Sequence, residues 1–151
     1  MLKQGDKAPD FQLEDDRGEK LTLKQFKGKK VVIYFYPKDN TPGCTTEACG
    51  LRDVYDDILA KGAVVVGVSA DSVKSHGNFK SKYELPFYLL SDPEKNMIKA
   101  YGAWGEKKMY GKSYEGILRS TFIVDEKGMV IKVFPKVSPK NHPEEILAAL
   151  E

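Results

Sequence analysis

The chain carries the run Val31-Val32-Ile33-Tyr34-Phe35-Tyr36, which contains only β-branched and aromatic side chains. Such side chains favour strands, and a run without polar alternation is typical of a strand that is buried on both faces of a sheet. Pro37 ends the run, and the tight loop Asn40-Thr41-Pro42-Gly43 follows before a helix that is predicted to end near Gly62. The sequence therefore predicts a central strand that leads directly into a helix carrying both cysteines of the chain.

Strands and helices alternate along the rest of the chain, which favours parallel strand pairing and an α/β fold. We expect a hairpin at residues 11–13 and 20–23, strands at 63–69 and 87–90, helices at 72–83 and 93–101, a Gly- and Lys-rich loop at 102–116, a second hairpin at 120–124 and 129–134, and a closing helix at 143–150. These elements predict one domain over residues 1–151, with a central mixed β-sheet flanked by helices and an N-terminal hairpin extension.

Composition excludes several functional classes. The 151 residues are 41% hydrophobic and 30% charged, which suits one globular domain with a real core. The formal net charge is +2 and the lysines are scattered, so nothing favours nucleic-acid or membrane partners. The N-terminal segment is polar, and no apolar run approaches the roughly 18 residues that a membrane span needs. We therefore expect a cytoplasmic protein.

Cys44 lies in the first turn of the predicted helix. Unpaired backbone N–H groups and the positive end of the helix dipole favour an anion there, and the anion of cysteine is the nucleophilic thiolate. However, the helical spacing also places Cys44 on a core-facing stripe with Ala48, Leu51, Tyr55, Ile58 and Leu59. Position alone therefore leaves two interpretations open, a reactive thiolate and a small buried hydrophobe.

Two nearby residues suit a small pocket but have ordinary alternatives. The hydroxyl of Thr41 could bind an oxygen atom or cap the helix, and Pro37 could wall a pocket or only end the strand.

Residues 34–49 resemble the active-site segment of the peroxiredoxins, because Pro37, Thr41 and Cys44 stand in the spacing Pro-x-x-x-Thr-x-x-Cys. The resemblance spans nearly the whole chain. It is most similar to the bacterioferritin comigratory protein (peroxiredoxin Q) subfamily at Cys49, Gly50-Leu51-Arg52-Asp53, Trp104-Gly105-Glu106-Lys107 and Tyr114-Glu115-Gly116.

The resemblance implies a thioredoxin-like fold and the reduction of hydrogen peroxide and alkyl hydroperoxides without any cofactor or metal. It implies re-reduction by thioredoxin or a similar dithiol, and a monomer, with a dimer as the alternative. Among the residues, it assigns Cys44 as the peroxidatic cysteine, Thr41 as a peroxide ligand, Pro37 as a pocket wall, and Arg119 as the cation that holds thiolate and peroxide. Cys49 would be the resolving cysteine.

Arg119 precedes a predicted strand, and a strand end beside a helix N-terminus is where ligands bind in α/β folds. Its permanent charge would favour the thiolate and stabilise charge on a departing oxygen, unless it is only a surface arginine on an edge strand. Glu47, one turn after Cys44, could orient Arg119 through a charge-assisted hydrogen bond. A solvated acid that complements the helix dipole is an equal alternative for Glu47.

The five-residue spacing of Cys44 and Cys49 has a geometric consequence. In an intact α-helix it separates the two Cα atoms by about 8.7 Å, whereas a disulfide needs less than about 7 Å. If these cysteines bond, the first turns of the helix must unwind.

Two other functions compete with the peroxidase. A thioredoxin-like disulfide oxidoreductase would have Cys-x-x-Cys and a cis-proline where this chain has Arg119-Ser120-Thr121. A metal-binding module could use Cys44, Cys49, His76 and His142, but this spacing makes a poor ligand set. We expect His76 to be a polar helix residue and His142 to lie at the entry to the last helix.

Overall fold

A computed structural model describes residues 1–151 of the chain. Its strands are β1 (Gln12–Asp15), β2 (Lys20–Thr22), β3 (Lys30–Phe35), β4 (Ala63–Ser69), β5 (Tyr88–Ser91), β6 (Trp104–Met109), β7 (Lys112–Ile117), β8 (Ser120–Val124) and β9 (Val130–Phe134). Its helices are α1 (Pro42–Asp53), α2 (Tyr55–Ala60), α3 (Val73–Tyr83), α4 (Asn96–Ala100) and α5 (His142–Ala149). None of these helices has the length and apolar character that a membrane crossing requires.

The centre of the fold is a seven-stranded mixed sheet in the order β2-β1-β5-β4-β3-β8-β9. Strands β3, β4 and β5 are parallel to one another, whereas β8 runs antiparallel to β3. The predicted α/β fold with a central mixed sheet is confirmed. Phe35, at the end of β3, pairs with Ser120 at the start of β8, so residue 119 lies beside the loop that leads into α1.

Strand β3 contributes to two cores, one on each face of the sheet. Val31, Ile33 and Phe35 pack into the first core, and the intervening Val32 and Tyr34 pack into the second. Burying each large apolar side chain contributes about 1.5–3 kcal/mol relative to leaving it exposed. This double burial explains the unbroken apolar run, and it fixes β3 as the rigid element from which the following loop projects.

The single helix predicted up to residue 62 is wrong, because the chain forms two helices. Helix α1 ends at Asp53, and Val54 leaves helical geometry with φ −111° and ψ 9° before α2 begins. The break changes the phase of the buried stripe. Tyr55 and Ile58 still face the core, but Leu59 is 45% exposed, so its predicted place on the stripe is also wrong.

The predicted loop at residues 102–116 is instead a hairpin formed by β6 and β7. Its pairs run from Trp104 with Ile117 to Met109 with Lys112, and the turn at Tyr110 and Gly111 has positive φ at both residues (53° and 76°). The hairpin is a separate two-stranded sheet. Most of its side chains are at least partly exposed, so the sequence lacks the apolar alternation that usually identifies a strand.

Candidate active site

Cys44 is the third residue of α1 and is only 1% exposed. Thr41 occupies the N-cap position, and the peptide N–H of Thr45 makes the first helical bond, to the carbonyl of Thr41 at 2.9 Å. Pro42 has no N–H, so the N–H groups of Gly43 and Cys44 are the ones that the helix itself leaves without partners. The thiol therefore lies at a helix terminus that favours an anion.

Arg119 and Glu47 complete a linear set of charged groups with Cys44. The guanidinium Nη2 lies 3.1 Å from the Sγ of Cys44, and Nη1 donates to the Oε1 of Glu47 at 2.8 Å. Glu47 is fully buried, and the Arg119 side chain is 19% exposed. This geometry matches neither a solvated acid at Glu47 nor a free surface arginine at Arg119. The carboxylate holds one edge of the guanidinium while the other edge faces the sulfur.

Burial and neighbouring charges have opposite effects on the pKa values of Glu47 and Arg119. Burial raises the pKa of Glu47 to about 7, although the neighbouring Arg119 lowers it. For Arg119, burial lowers the pKa, but interactions with Cys44 and Glu47 together raise it above its usual value, so the guanidinium keeps its charge. A cation is thus held permanently against the sulfur.

Two buried oxygens near the sulfur have no hydrogen-bond partner, the Oε2 of Glu47 and the hydroxyl of Tyr34. Burial, followed by the charges of Glu47 and Cys44, raises the pKa of Tyr34 well above its usual value, so this residue stays a neutral phenol.

Gly43 permits the close approach of Arg119 to the helix. A Cβ at this position would lie 3.3 Å from Nη2 of Arg119 and 3.7 Å from Cγ of Pro139. The guanidinium therefore packs directly over the first turn of α1, and a larger residue would displace it.

Thr41 and Pro37 lie in the loop between β3 and α1. The Thr41 hydroxyl donates to the carbonyl of Lys38 at 2.8 Å and makes no side-chain cap of the helix. Its lone pairs are therefore available to accept a hydrogen bond from a ligand. Pro37 is half-buried. Both residues lie in the loop that leads to Cys44, and neither is hydrogen-bonded to Cys44 or Arg119.

Cys49 is half-buried, and its thiol, like that of Cys44, is free. Helix α1 is continuous through both cysteines. The next residue, Gly50, packs closely against α5, because a Cβ there would lie 2.8 Å from Cγ of Pro143. Bringing the two sulfurs together would therefore require α1 to unwind and loosen this contact.

His76 lies in helix α3, as expected, but its side chain is fully buried, which the sequence did not indicate. Its Nδ1 lies 2.8 Å from Oδ2 of Asp39, and its Nε2 lies 2.9 Å from the carbonyl of Leu90. Sequence patterns did not reveal this pair, since its members are 37 residues apart and lie on different elements.

Lys107 was also missed, because it lies in the segment expected to be a loop. Its Nζ donates to the carbonyl of Ile117 at 2.9 Å. Burial, and then the charge of Arg119, lower the pKa of Lys107, whereas Cys44 raises it. The hairpin therefore brings a second cation towards the sulfur.

The geometry does not support the metal-binding alternative. Both ring nitrogens of His76 face Asp39 and Leu90, while those of His142 face Thr121 and Glu145. Neither ring is directed at a cysteine.

Several known proteins are similar to this chain over most of its length. Residues 4–133 match the AhpC/TSA family. The chain is 51% identical to the putative peroxiredoxin bcp of Coxiella burnetii, covering 99% of both chains. It is 50% identical to peroxiredoxin Bcp of Bacillus subtilis, covering 97% of this chain and 94% of that protein.

A solved structure of peroxiredoxin Q from Xanthomonas campestris superimposes with a TM-score of 0.88 at 43% identity, covering 93% of this chain and 89% of that chain. A mutant of PrxQ from Xylella fastidiosa superimposes with a TM-score of 0.93 at 34% identity, covering 99% and 96%. The thioredoxin-like fold is thereby confirmed, and the chain belongs to the AhpC/TSA family as a peroxiredoxin of the Bcp, or peroxiredoxin Q, group.

Proposed function

We propose that the protein is a thiol-dependent peroxidase in which the Cys44 thiolate attacks the peroxide. The observation that carries this proposal is the position of the Cys44 sulfur, at the N-terminus of α1 and 3.1 Å from Nη2 of Arg119. A helix terminus and a permanent cation both favour the thiolate, which is the nucleophilic form of cysteine. A solved relative at 42% identity, the bacterioferritin comigratory protein of X. campestris, is described for its alkyl peroxide reduction activity.

In the first step the thiolate attacks the terminal oxygen of a hydroperoxide ROOH. The S–O bond forms, the O–O bond breaks, and Cys44 becomes a sulfenic acid while RO⁻ leaves and takes a proton from solvent to give ROH. Arg119 stabilises the negative charge that develops on the leaving oxygen. The N–H groups of Gly43 and Cys44 are additional donors, and Thr41 accepts a hydrogen bond from the peroxide hydroxyl, while Pro37 shields the pocket.

In the second step Cys49 resolves the sulfenic acid. Its sulfur attacks the Cys44 sulfur, an S–S bond forms, and the hydroxyl leaves as water. Both residues lie in the intact helix α1, so its first turns must unwind before this bond can form. An external dithiol then reduces the disulfide and is itself oxidised. We propose a thioredoxin-type protein as this dithiol.

We further propose that residues 1–151 act as one domain, that the protein is a monomer, and that it is cytoplasmic. The family match over residues 4–133 and the two cores that share one sheet support the first of these proposals.

Paired cysteine variants test the function. Cys44→Ser should abolish the consumption of peroxide, whereas Cys49→Ser should still form a sulfenic acid, which a dimedone adduct detects by mass, but should lose turnover with thioredoxin. Wild-type peroxidase activity in Cys44→Ser would refute the proposal. Reduction of insulin disulfides without peroxide would instead favour a disulfide oxidoreductase.

A further inference from the structure

A buried network of hydrogen bonds holds the loop that precedes Cys44, and none of its members takes part in the mechanism above. At its centre, the carboxylate of Asp39 accepts from the hydroxyl of Tyr36 at 2.6 Å and from the hydroxyl of Ser75 at 2.8 Å. The His76 ring lies against the same carboxylate, with Nδ1 2.8 Å from Oδ2.

The hydrogen positions follow from the partners. Nε2 of His76 faces the carbonyl oxygen of Leu90, so it must carry a hydrogen. Burial, and then Tyr34 and Asp39, raise the pKa of Tyr36 well above its usual value, so its hydroxyl remains a donor. The carboxylate of Asp39 therefore accepts from Tyr36 and Ser75, and its Oδ2 lies 2.8 Å from Nδ1 of His76, which the Tyr36 hydroxyl also approaches at 3.3 Å. Every polar side-chain atom of the Asp39–His76 pair is hydrogen-bonded.

The backbone at Asp39 connects this hydrogen-bond network to Thr41. The N–H of Asp39 donates to Oδ2 of Asp71 at 2.8 Å. The carbonyl of Lys38, which belongs to the same peptide unit, accepts from the hydroxyl of Thr41 at 2.8 Å. One planar peptide thus lies between the carboxylate of Asp71 and the hydroxyl of Thr41, so a rotation of that peptide would redirect the hydroxyl.

Asp39, Asp71 and His76 also bring possible metal-ligand atoms within 4.8 Å of one another. Those atoms are already engaged, because Asp71 accepts from Ser69 and from the N–H of Asp39, while the His76 ring contacts Asp39 and Leu90. A closed hydrogen-bond network accounts for the cluster, and a cation would have to break several of these bonds.

We propose that the Asp39–His76 pair is a positioning device for the peroxidase reaction, which fixes the Lys38–Asp39 peptide and thereby the Thr41 hydroxyl that receives the peroxide. The inference rests on the proposed function. His76 does not touch substrate, but it connects α3 and β5 to the active-site loop. Its loss should impair the reaction with peroxide and leave the reaction of the disulfide with the external dithiol intact.

Two amide variants of His76 separate positioning from structural support. Asparagine places its amide nitrogen one bond from Cγ, where Nδ1 lies, and so keeps the contact with Asp39. Glutamine places its nitrogen one bond further, near the Nε2 position, and keeps only the contact with Leu90. Asparagine is the smaller residue and leaves the larger cavity, so a purely structural role would make His76→Asn the worse variant.

The test measures kcat/KM for hydrogen peroxide and for reduced thioredoxin, together with the urea midpoint of each variant. We expect His76→Gln to lower kcat/KM for peroxide by about tenfold, and His76→Asn by at most about threefold, since small misplacements of binding groups reduce rates strongly. The value for thioredoxin should change by less than about twofold in both, because that step does not use the Thr41 hydroxyl.

The inference would be overturned if the two variants had equal kcat/KM for peroxide, or if their activities followed the order of their stabilities. It would also be overturned if kcat/KM for thioredoxin fell as much as kcat/KM for peroxide. If either histidine variant does not fold, Ser75→Ala replaces it, because this change removes one donor from Asp39. It should lower kcat/KM for peroxide but not for thioredoxin. An unchanged kcat/KM for peroxide would count against the inference. A wild-type protein without peroxidase activity would refute the proposed function, whereas an active wild type with an equally active His76→Gln would refute only the positioning role.

Discussion

Replacing Glu47 by glutamine should make the protein more stable and less active at the same time. Glu47 is fully buried, its Oε1 accepts from Arg119 at 2.8 Å, and its Oε2 has no partner. Glutamine has nearly the same shape and can still accept from Arg119 through its carbonyl, but it carries no charge to desolvate. The substitution therefore removes the energetic cost of the buried anion and keeps the packing.

The pKa of Glu47 gives the size and direction of the effect on stability. Burial raises this pKa from the usual 4.5 to about 7. At about 1.36 kcal/mol per pH unit, the difference corresponds to about 3 kcal/mol. The folded protein binds the proton more tightly than the unfolded chain, so this contribution is fully present below pH 4.5 and is lost as the pH rises through 7. Glutamine has no charge to titrate, so the stability of Glu47→Gln should not fall over this pH range.

Urea unfolding of the reduced protein between pH 5 and pH 8 measures the effect. The variant should exceed the wild type by about 1–3 kcal/mol at pH 8, the lower figure allowing for the unpaired amide, and the two should converge towards pH 5. Its kcat/KM for peroxide should fall by up to about tenfold, because a neutral acceptor holds Arg119 more weakly than a charged one. Glu106→Gln, which removes a charge from an exposed residue of β6, is the control. A variant of equal or lower stability at pH 8 would refute this account of the buried carboxylate.

Two glycines of α1 give further predictions. Gly43→Ala places a Cβ 3.3 Å from Nη2 of Arg119. It should lower kcat/KM for peroxide by about three- to tenfold with little loss of stability, as competition kinetics and thermal unfolding can measure. An unchanged kcat/KM would contradict the packing of Arg119 on the helix. Gly50→Ala places a Cβ 2.8 Å from Cγ of Pro143 and should destabilise the protein by about 1–3 kcal/mol. The disulfide should form faster in this variant, as measured by rapid thiol trapping. Slower formation of the disulfide would show that α1 does not separate from α5 in that step.

Elements with a strong apolar pattern were predictable from the sequence. Strands β3 and β4 are buried on both faces, and their unbroken apolar runs show it. The position of Cys44 near the start of a helix also followed from local residues, because Pro37 ends a strand and a tight loop follows; the structure begins the helix at Pro42, two residues earlier than the predicted loop allows. Such features depend on neighbours in the chain, so a single sequence contains them.

Features that depend on distant or weakly patterned residues were not predictable. The hairpin of β6 and β7 has polar residues on both faces, so its sequence lacks the alternation of a half-buried strand. Its one local feature is the turn at Tyr110 and Gly111, where both residues have positive φ. The break at Val54 interrupts a stretch that otherwise has helical spacing. The buried His76 has no local signal, because its partner Asp39 precedes it by 37 residues.

The composition of the first two turns of α1 suits a helix that opens in every catalytic cycle, as the proposed mechanism requires. The buried residues there are Cys44, Glu47 and Ala48, and the first large aliphatic side chain, Leu51, lies in the third turn. Unwinding up to Cys49 therefore exposes little apolar surface, and it returns a buried carboxylate to water, which offsets part of the lost packing. Glu47 thus holds Arg119 while the helix is folded and lowers the free energy needed to unfold it. Glu47→Gln should accordingly slow formation of the disulfide after the sulfenic acid has formed, and a faster disulfide in this variant would show that the buried charge does not promote the opening of α1.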